Sequence, residues 1–256
     1  MSRTVEVPRN QSPVEATIFY NGDLGRFSYL HENNPELTEI TLPFRFTVVD
    51  DGGHRITGSE GLGKDAPRWK SNMAHERFSN HLRVWLDHSP EVIEAEGTWK
   101  PMSSRMSIRG ARYTKLIWII TDLGFGKILA CLQLKGRALS AWFDDTSKKK
   151  INPCGNIAFI VKETRMMQGE KGKPSPVPVF ETTELSAETE AMAKKMDKEL
   201  QQWLETQFDD PFAEAPAIAQ RVDRFPPENE SPWPTQAPAE AVATEPVASD
   251  FDDLPF

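Results

Sequence analysis

Segments rich in Ile, Val, Thr, Phe and Trp recur along the first 180 residues of this 256-residue chain and then cease. Such side chains favour a pleated, half-buried backbone, so their distribution confines the core to the first part of the chain and predicts a mainly β body. The strand-forming segments are Val14 to Tyr20, Ile40 to Val49, His54 to Gly58, Val92 to Trp99, Thr114 to Thr121, Lys127 to Lys135 and Ile157 to Thr164. Asp50-Asp51-Gly52-Gly53 between two of them has hairpin chemistry, because glycine supplies the positive φ of a tight turn. In the Lys127 segment Ile128, Ala130, Leu132 and Leu134 alternate with Leu129, Cys131 and Gln133, which gives that strand one strongly apolar face.

Helical spacing of Phe78, Leu82 and Trp85 predicts a helix from about Pro67 to His88, and a shorter one spans Gly136 to Asp144. A third runs from about Ala187 to Gln207, with Ser186 as its cap, Glu188 and Glu190 in its first turn, and the stripe Met192, Met196, Leu200, Trp203. That stripe packs either on the body or on a second copy of the chain. From Asp209 to Ser249 there are eight prolines and nine alanines but few large apolar residues, so this stretch buries too little to offset its ordering entropy. The expected organisation is a domain over 1–182, an amphipathic helix over 183–208, a disordered Pro/Ala-rich linker over 209–249, and a terminal tip over 250–256.

Charge separates the same parts. Up to Phe180 there are 25 Lys and Arg against 20 Asp and Glu, whereas from Glu181 onward there are 5 against 18. Opposite signs in the two parts point to a basic binding body joined to an acidic tail. The two cysteines, Cys131 and Cys154, have no C-x-x-C or histidine spacing, which argues against a disulfide framework or a zinc site. The N-terminal residues MSRTVEVPRN carry no apolar stretch of signal-peptide type, so the expected location is cytoplasmic, without a membrane partner.

Gly58-Ser-Glu-Gly-Leu-Gly63-Lys64-Asp65 has the glycine spacing of a phosphate-binding loop, but Asp65 stands where Ser or Thr holds magnesium and Ala66-Pro67 follows instead of a helix. It is better taken as a loop that offers Lys64, Arg68 and Lys70, beside Trp69, to an anion. His75-Glu76 begins like a zinc-protease helix, yet Ser79 occupies the second ligand position. The stretch Gly97 to Lys115 is more informative. It holds Lys100, Arg105, Arg109, Arg112 and Lys115 without an acid, interleaved with Trp99 and Tyr113. Cations follow a phosphate backbone while aromatic faces stack on unpaired bases of any identity, so this combination suits sequence-tolerant single-strand binding. The bland alternative is a solvated basic loop with its aromatics in the core.

The chain closes on Asp250-Phe251-Asp252-Asp253-Leu254-Pro255-Phe256, too short to fold and suited to capture in another molecule's pocket. This ending resembles the C-terminal tip of the bacterial-type single-stranded-DNA-binding proteins, with one Asp fewer between Phe251 and Leu254 than in the commonest version. It is also similar to the tails of phage replication proteins of that role. The resemblance covers the last seven residues and implies that the tip docks replication or repair enzymes such as a polymerase, primase, helicase or nuclease. With the basic body, it implies an OB-fold-like barrel with inserted helices that binds single-stranded DNA in replication or recombination, is not an enzyme and needs no cofactor. An adaptor that binds such enzymes without touching DNA is the alternative. A nuclease would need a carboxylate cluster for metal, for which Asp50-Asp51 and Asp144-Asp145 are the adjacent acidic pairs of the body.

Overall fold

The computed structural model describes residues 12–61, 65–168 and 173–209. The chain opens with β1 (Ala16–Asn21), β2 (Arg26–His31), β3 (Asn34–Ile40) and the long β4 (Phe44–Gly58). Short strands β5 (Trp69–Ser71), β6 (Ala74–His75), β7 (Leu82–Leu86) and β8 (Ala95–Gly97) lead to helix α1 (Trp99–Ile108). The hairpin β9 (Ala111–Asp122) and β10 (Lys127–Lys135) is followed by α2 (Gly136–Asp145). Then come β11 (Ile157–Val161), β12 (Thr164–Met167), β13 (Ser175–Pro178), β14 (Glu181–Glu184) and α3 (Ala187–Asp209).

The fold is mainly β. Its largest sheet runs in the order β14-β11-β4-β9-β10-β1-β2-β3, with β6 attached to β4. All neighbours are antiparallel except β1 and β10, which lie parallel. The path has two ends, β14 and β3, so among the described residues the sheet is open and no closed barrel forms. A three-stranded sheet, β5-β7-β8, and the pair β12-β13 stand apart from it.

Three sequence expectations are corrected. The Asp50–Gly53 segment is not a hairpin, because both halves of β4 pair with the same strand, from Phe46 opposite Thr121 to Gly58 opposite Ala111. Register shifts between Val48 and Gly53 absorb the two extra residues, and the Gly52 N–H donates to Asp50 Oδ1 at 2.7 Å, so the Asp-Gly chemistry bends the strand without reversing it. The helix expected over 67–88 is replaced by β5, β6 and β7: Leu82, Val84 and Leu86 are buried alternately, a period of two that outweighs the helical coincidence of Phe78, Leu82 and Trp85. The stretch 97–115 is not a solvated loop but α1 and the start of β9.

Period-two patterning decides what covers each face of the central strands. Ile117 and Ile119 of β9, with Ile128, Ala130, Leu132 and Leu134 of β10, enter the main core together with Trp142 of α2 and Phe46 and Phe159. Phe46 stacks on Phe159 at 5.6 Å, and Trp142 lies 4.9 Å from the same ring. On the opposite face Leu116, Trp118, Leu129 and Cys131 are covered by Leu200 and Leu204 of α3, with Trp203 and Phe208 alongside. The helix starts where Ser186 Oγ accepts the Thr189 N–H at 3.2 Å. α3 covers only part of this face, and the strands continue beyond it.

Candidate nucleic-acid interface

Beyond α3 the uncovered face of β4, β9, β10 and β1 is polar. Thr114 of β9 lies opposite Arg55 on one side and Lys135 on the other, so register alone sets these three residues in a row across three strands. Gln133 of β10 faces Phe19 of β1, which in turn faces Ser28 of β2. Arg55 Nη2 donates to Gln133 Oε1 at 2.6 Å, and the hydroxyls of Thr57 and Thr114 are 2.6 Å apart. These side chains form the floor of a groove of about 750 Å³. One wall is the β1–β2 turn, Tyr20 to Asp23; the other is the small sheet, which contributes Arg68, Lys70 and Trp85. Lys70 and Trp85 are directly paired across β5 and β7, which puts a cation and an indole side by side on that wall.

Asp23 is the one carboxylate among the described residues that line the groove, against Arg55, Arg68, Lys70 and Lys135. Desolvation of its guanidinium pulls the Arg55 pKa below its ordinary value. Lys135, whose side chain as a whole is exposed, is lowered too, first by partial desolvation at the groove floor and then by the like charges of Arg112 and Arg55. A basic groove of this kind concentrates anions, and Trp85 and Phe19 offer partly exposed rings within it, whereas the Tyr20 ring packs on the core side against Phe27.

The residues singled out from sequence divide sharply. Arg68 and Lys70 are exposed on the groove wall. Trp69 is 1% exposed, its indole N–H bound to the Arg109 carbonyl at 3.0 Å, so it supports the groove from beneath. Arg109 lies over the Trp69 ring at 4.6 Å and pairs with Glu60 and Glu94, tying the small sheet to the start of β9. Tyr113 and Lys115 are buried on the core side, Tyr113 stacked on His54 at 5.3 Å and Lys115 3.5 Å from Glu76. Trp99 packs half-buried against the core, 6.1 Å from Tyr113. Lys100 and Arg105 are exposed on α1, outside the residues that line the groove. Arg112 is exposed beside it, its Nη1 donating to the Ser107 and Ala111 carbonyls. Lys64 and the segment Asp250, Phe251, Asp252, Asp253, Leu254, Pro255, Phe256 lie outside the described residues, as does the 210–249 linker.

Sequence reasoning missed Arg55, Gln133, Lys135, Phe19 and Trp85. A signal for two of them was present: Gln133 and Lys135 break the apolar character of one face of β10 at its end.

The acidic pairs weighed as metal ligands are occupied otherwise. Asp50 accepts from His75 Nε2 at 3.0 Å and from Gln201 Nε2 at 2.9 Å. Asp144 and Asp145 pair with Lys148 and Lys149, and Asp145 also accepts the Phe180 N–H. Among the described residues no helix is long and apolar enough to cross a membrane. No protein-family model, no curated protein and no solved structure matches the chain.

Proposed function

We propose that this protein binds single-stranded nucleic acid, single-stranded DNA in the first instance, without base preference and without catalysing a reaction. The observation that carries the reading is the groove itself: four cations on a sheet face and its flanking wall, with Trp85 and Phe19 among them and a single carboxylate, Asp23. Phosphate neutralisation supplies sequence-independent affinity, and flat aromatic faces accept any base. An OB-like reading of the fold has topological support. β11, β4, β9 and β10 are consecutive antiparallel neighbours, α2 follows β10, and β1 supplies a fifth, parallel strand, an arrangement akin to a partly open five-stranded barrel. In this reading the long β4–β9 connection carries the groove wall, as the loops of such barrels do. The acidic tail and its DFDDLPF segment are proposed to recruit replication or repair enzymes in the cytoplasm, on the resemblance of that segment alone.

The test is a titration of intrinsic tryptophan fluorescence with oligo-dT and with duplex of equal length at about 0.1 M salt, where exposed charges are partly screened. Single strands should bind tighter, and affinity should fall steeply with salt. Lys70→Ala should weaken binding to all sequences and reduce the salt slope by about one contact's share, ~0.7 for a single strand. Trp85→Ala should cost about 1–3 kcal/mol, the value of one stacked base. Equal affinity for duplex and single strand would overturn the reading. Absence of binding to either, with an intact circular dichroism spectrum, would leave the adaptor role in its place.

A further inference from the structure

We infer that the Arg55–Thr114–Lys135 row is an anchor for a phosphate dianion, so that the groove prefers strands that end in a phosphomonoester over strands offering internal phosphodiesters alone. This rests on the single-strand reading above and refines it.

The floor cations differ from those on the wall. Arg55 comes from β4 and Lys135 from β10, both held opposite Thr114 by sheet register, while Arg112 stands two residues before Thr114 on the same strand. Their backbones are fixed by the ladder, so the cations need no rearrangement to converge. Among the described residues none of the three forms an ion pair. Arg55 is half-buried, its one hydrogen-bonded nitrogen goes to a neutral amide, and its Nε–H is buried without an acceptor. A buried, unpartnered donor on a charged group is costly and rare, and an anion against the part of this guanidinium that lines the groove would offset its uncompensated charge. Desolvation lowers the Lys135 pKa first, and the like charges of Arg112 and Arg55 lower it further, in keeping with the absence of an ion pair on any of the three among the described residues.

Charge decides which phosphate fits. An internal phosphodiester brings one negative charge, already shared along a backbone. A terminal phosphomonoester carries about −1.5 to −2 near neutral pH and three strong acceptor oxygens. The row offers the part of the Arg55 guanidinium that lines the groove, the Lys135 ammonium and one hydroxyl hydrogen. Thr114 is 1% exposed, so with its hydroxyl donating to Thr57 the hydrogen left for a ligand is that of the half-buried Thr57. Arg68 and Lys70, exposed on the wall, are suited to internal phosphates.

The experiment compares oligo-dT of one length ending in 5′-hydroxyl, 5′-phosphate or 3′-phosphate, by fluorescence anisotropy on the full chain at matched ionic strength. One of the two phosphorylated ends should bind about tenfold tighter than the hydroxyl end, the scale of one added set of charge-assisted hydrogen bonds. Lys135→Gln, at an exposed position, should erase that ratio, and Arg55→Gln should do the same. Lys70→Gln should weaken all three oligonucleotides and keep the ratio, which separates the anchor from a general charge effect. Inorganic phosphate alone should bind far more weakly than the phosphorylated strand; equal affinity would overturn the strand-end assignment in favour of a free-phosphate site. Equal binding of hydroxyl and phosphate ends would overturn the anchor and leave single-strand binding standing, whereas no binding of any oligonucleotide would bring down both.

Discussion

His54 is buried beside the groove, one residue before Arg55, and stacks on Tyr113 with the rings 24° apart. Burial lowers its pKa to about 4 from an ordinary value of 6.5. Between those values the unfolded chain binds a proton that the folded chain refuses. His54 therefore contributes stability that is present above pH 6.5 and is lost as pH falls toward 4, by roughly 3 kcal/mol across the whole interval. Asp51, whose carboxyl is pushed up by burial, acts in the opposite sense at the acid end. Replacing His54 by Phe keeps a ring against Tyr113 and removes the titration. Urea unfolding at pH 7.5 and pH 4.5 should show a smaller acid loss in His54→Phe than in the parent; an identical loss would mean that another group carries it. Arg109 shows why residue type alone misleads at this scale. A sequence places it among the phosphate-binding cations, yet Glu60 and Glu94 claim its guanidinium. Arg109→Ala should thus lower stability and leave the salt slope of strand binding unchanged, in contrast to Lys70→Ala.

At the scale of elements, α3 is held to the sheet by a closed ring of polar contacts as well as by Leu200 and Leu204. The Arg77 N–H donates to His75 Nδ1 at 3.1 Å, which places the ring proton on Nε2, the atom that donates to Asp50. Gln201 Nε2 donates to the other Asp50 oxygen, and Arg77 Nη1 donates to Gln201 Oε1 at 2.9 Å. Burial alone would raise the Asp50 carboxyl, but the bonds from His75, Gln201 and Gly52 outweigh it and hold it below its ordinary value. Gln201→Leu removes one donor from a buried carboxylate and should cost about 1–3 kcal/mol, read as a lower urea midpoint with faster proteolysis within α3. An unchanged midpoint would mean that the ring is not what holds the helix. Element identity was legible where one period stood alone. β9, β10 and α2 follow directly from Thr114 to Thr121, Lys127 to Lys135 and Gly136 to Asp144. It was not legible where two periods overlap, as at Phe78, Leu82, Val84 and Trp85, or where turn-forming residues bend a strand whose two halves share a partner, as at Asp50 to Gly53. The groove was least legible of all. Arg55 and Lys135 are neighbours only through Thr114, and no local pattern carries the register of three strands.

For the whole molecule, charge and geometry converge on one face. The sheet face that carries the groove also carries α3, whose Leu200 and Leu204 cover Leu116, Trp118, Leu129 and Cys131, and whose Phe208 stacks on Phe78 at 5.2 Å. Asp209, the last described residue, therefore follows a turn of helix docked on that face. The remaining residues, 210–256, hold ten acidic side chains against two basic ones. Tethering at Asp209 should raise the local concentration of their carboxylates near Arg55, Arg68, Lys70 and Lys135, and we propose that they compete there with phosphates for the same cations. In the proposed reading a strand that fills the groove should displace these acidic residues, so that occupancy of one governs availability of the other. Ending the chain after Asp209 should raise affinity for oligo-dT several-fold near 0.02 M salt, and the gain should shrink toward nothing at about 0.3 M as the exposed charges are screened. Phe256→Ala changes no charge, so it should leave strand affinity unaltered at both salts while weakening capture of any enzyme that recognises the DFDDLPF segment. If truncation altered affinity equally at both salts, the effect would come from loss of contacts and not from competition between charges. If it altered neither, the acidic residues would have no access to the groove.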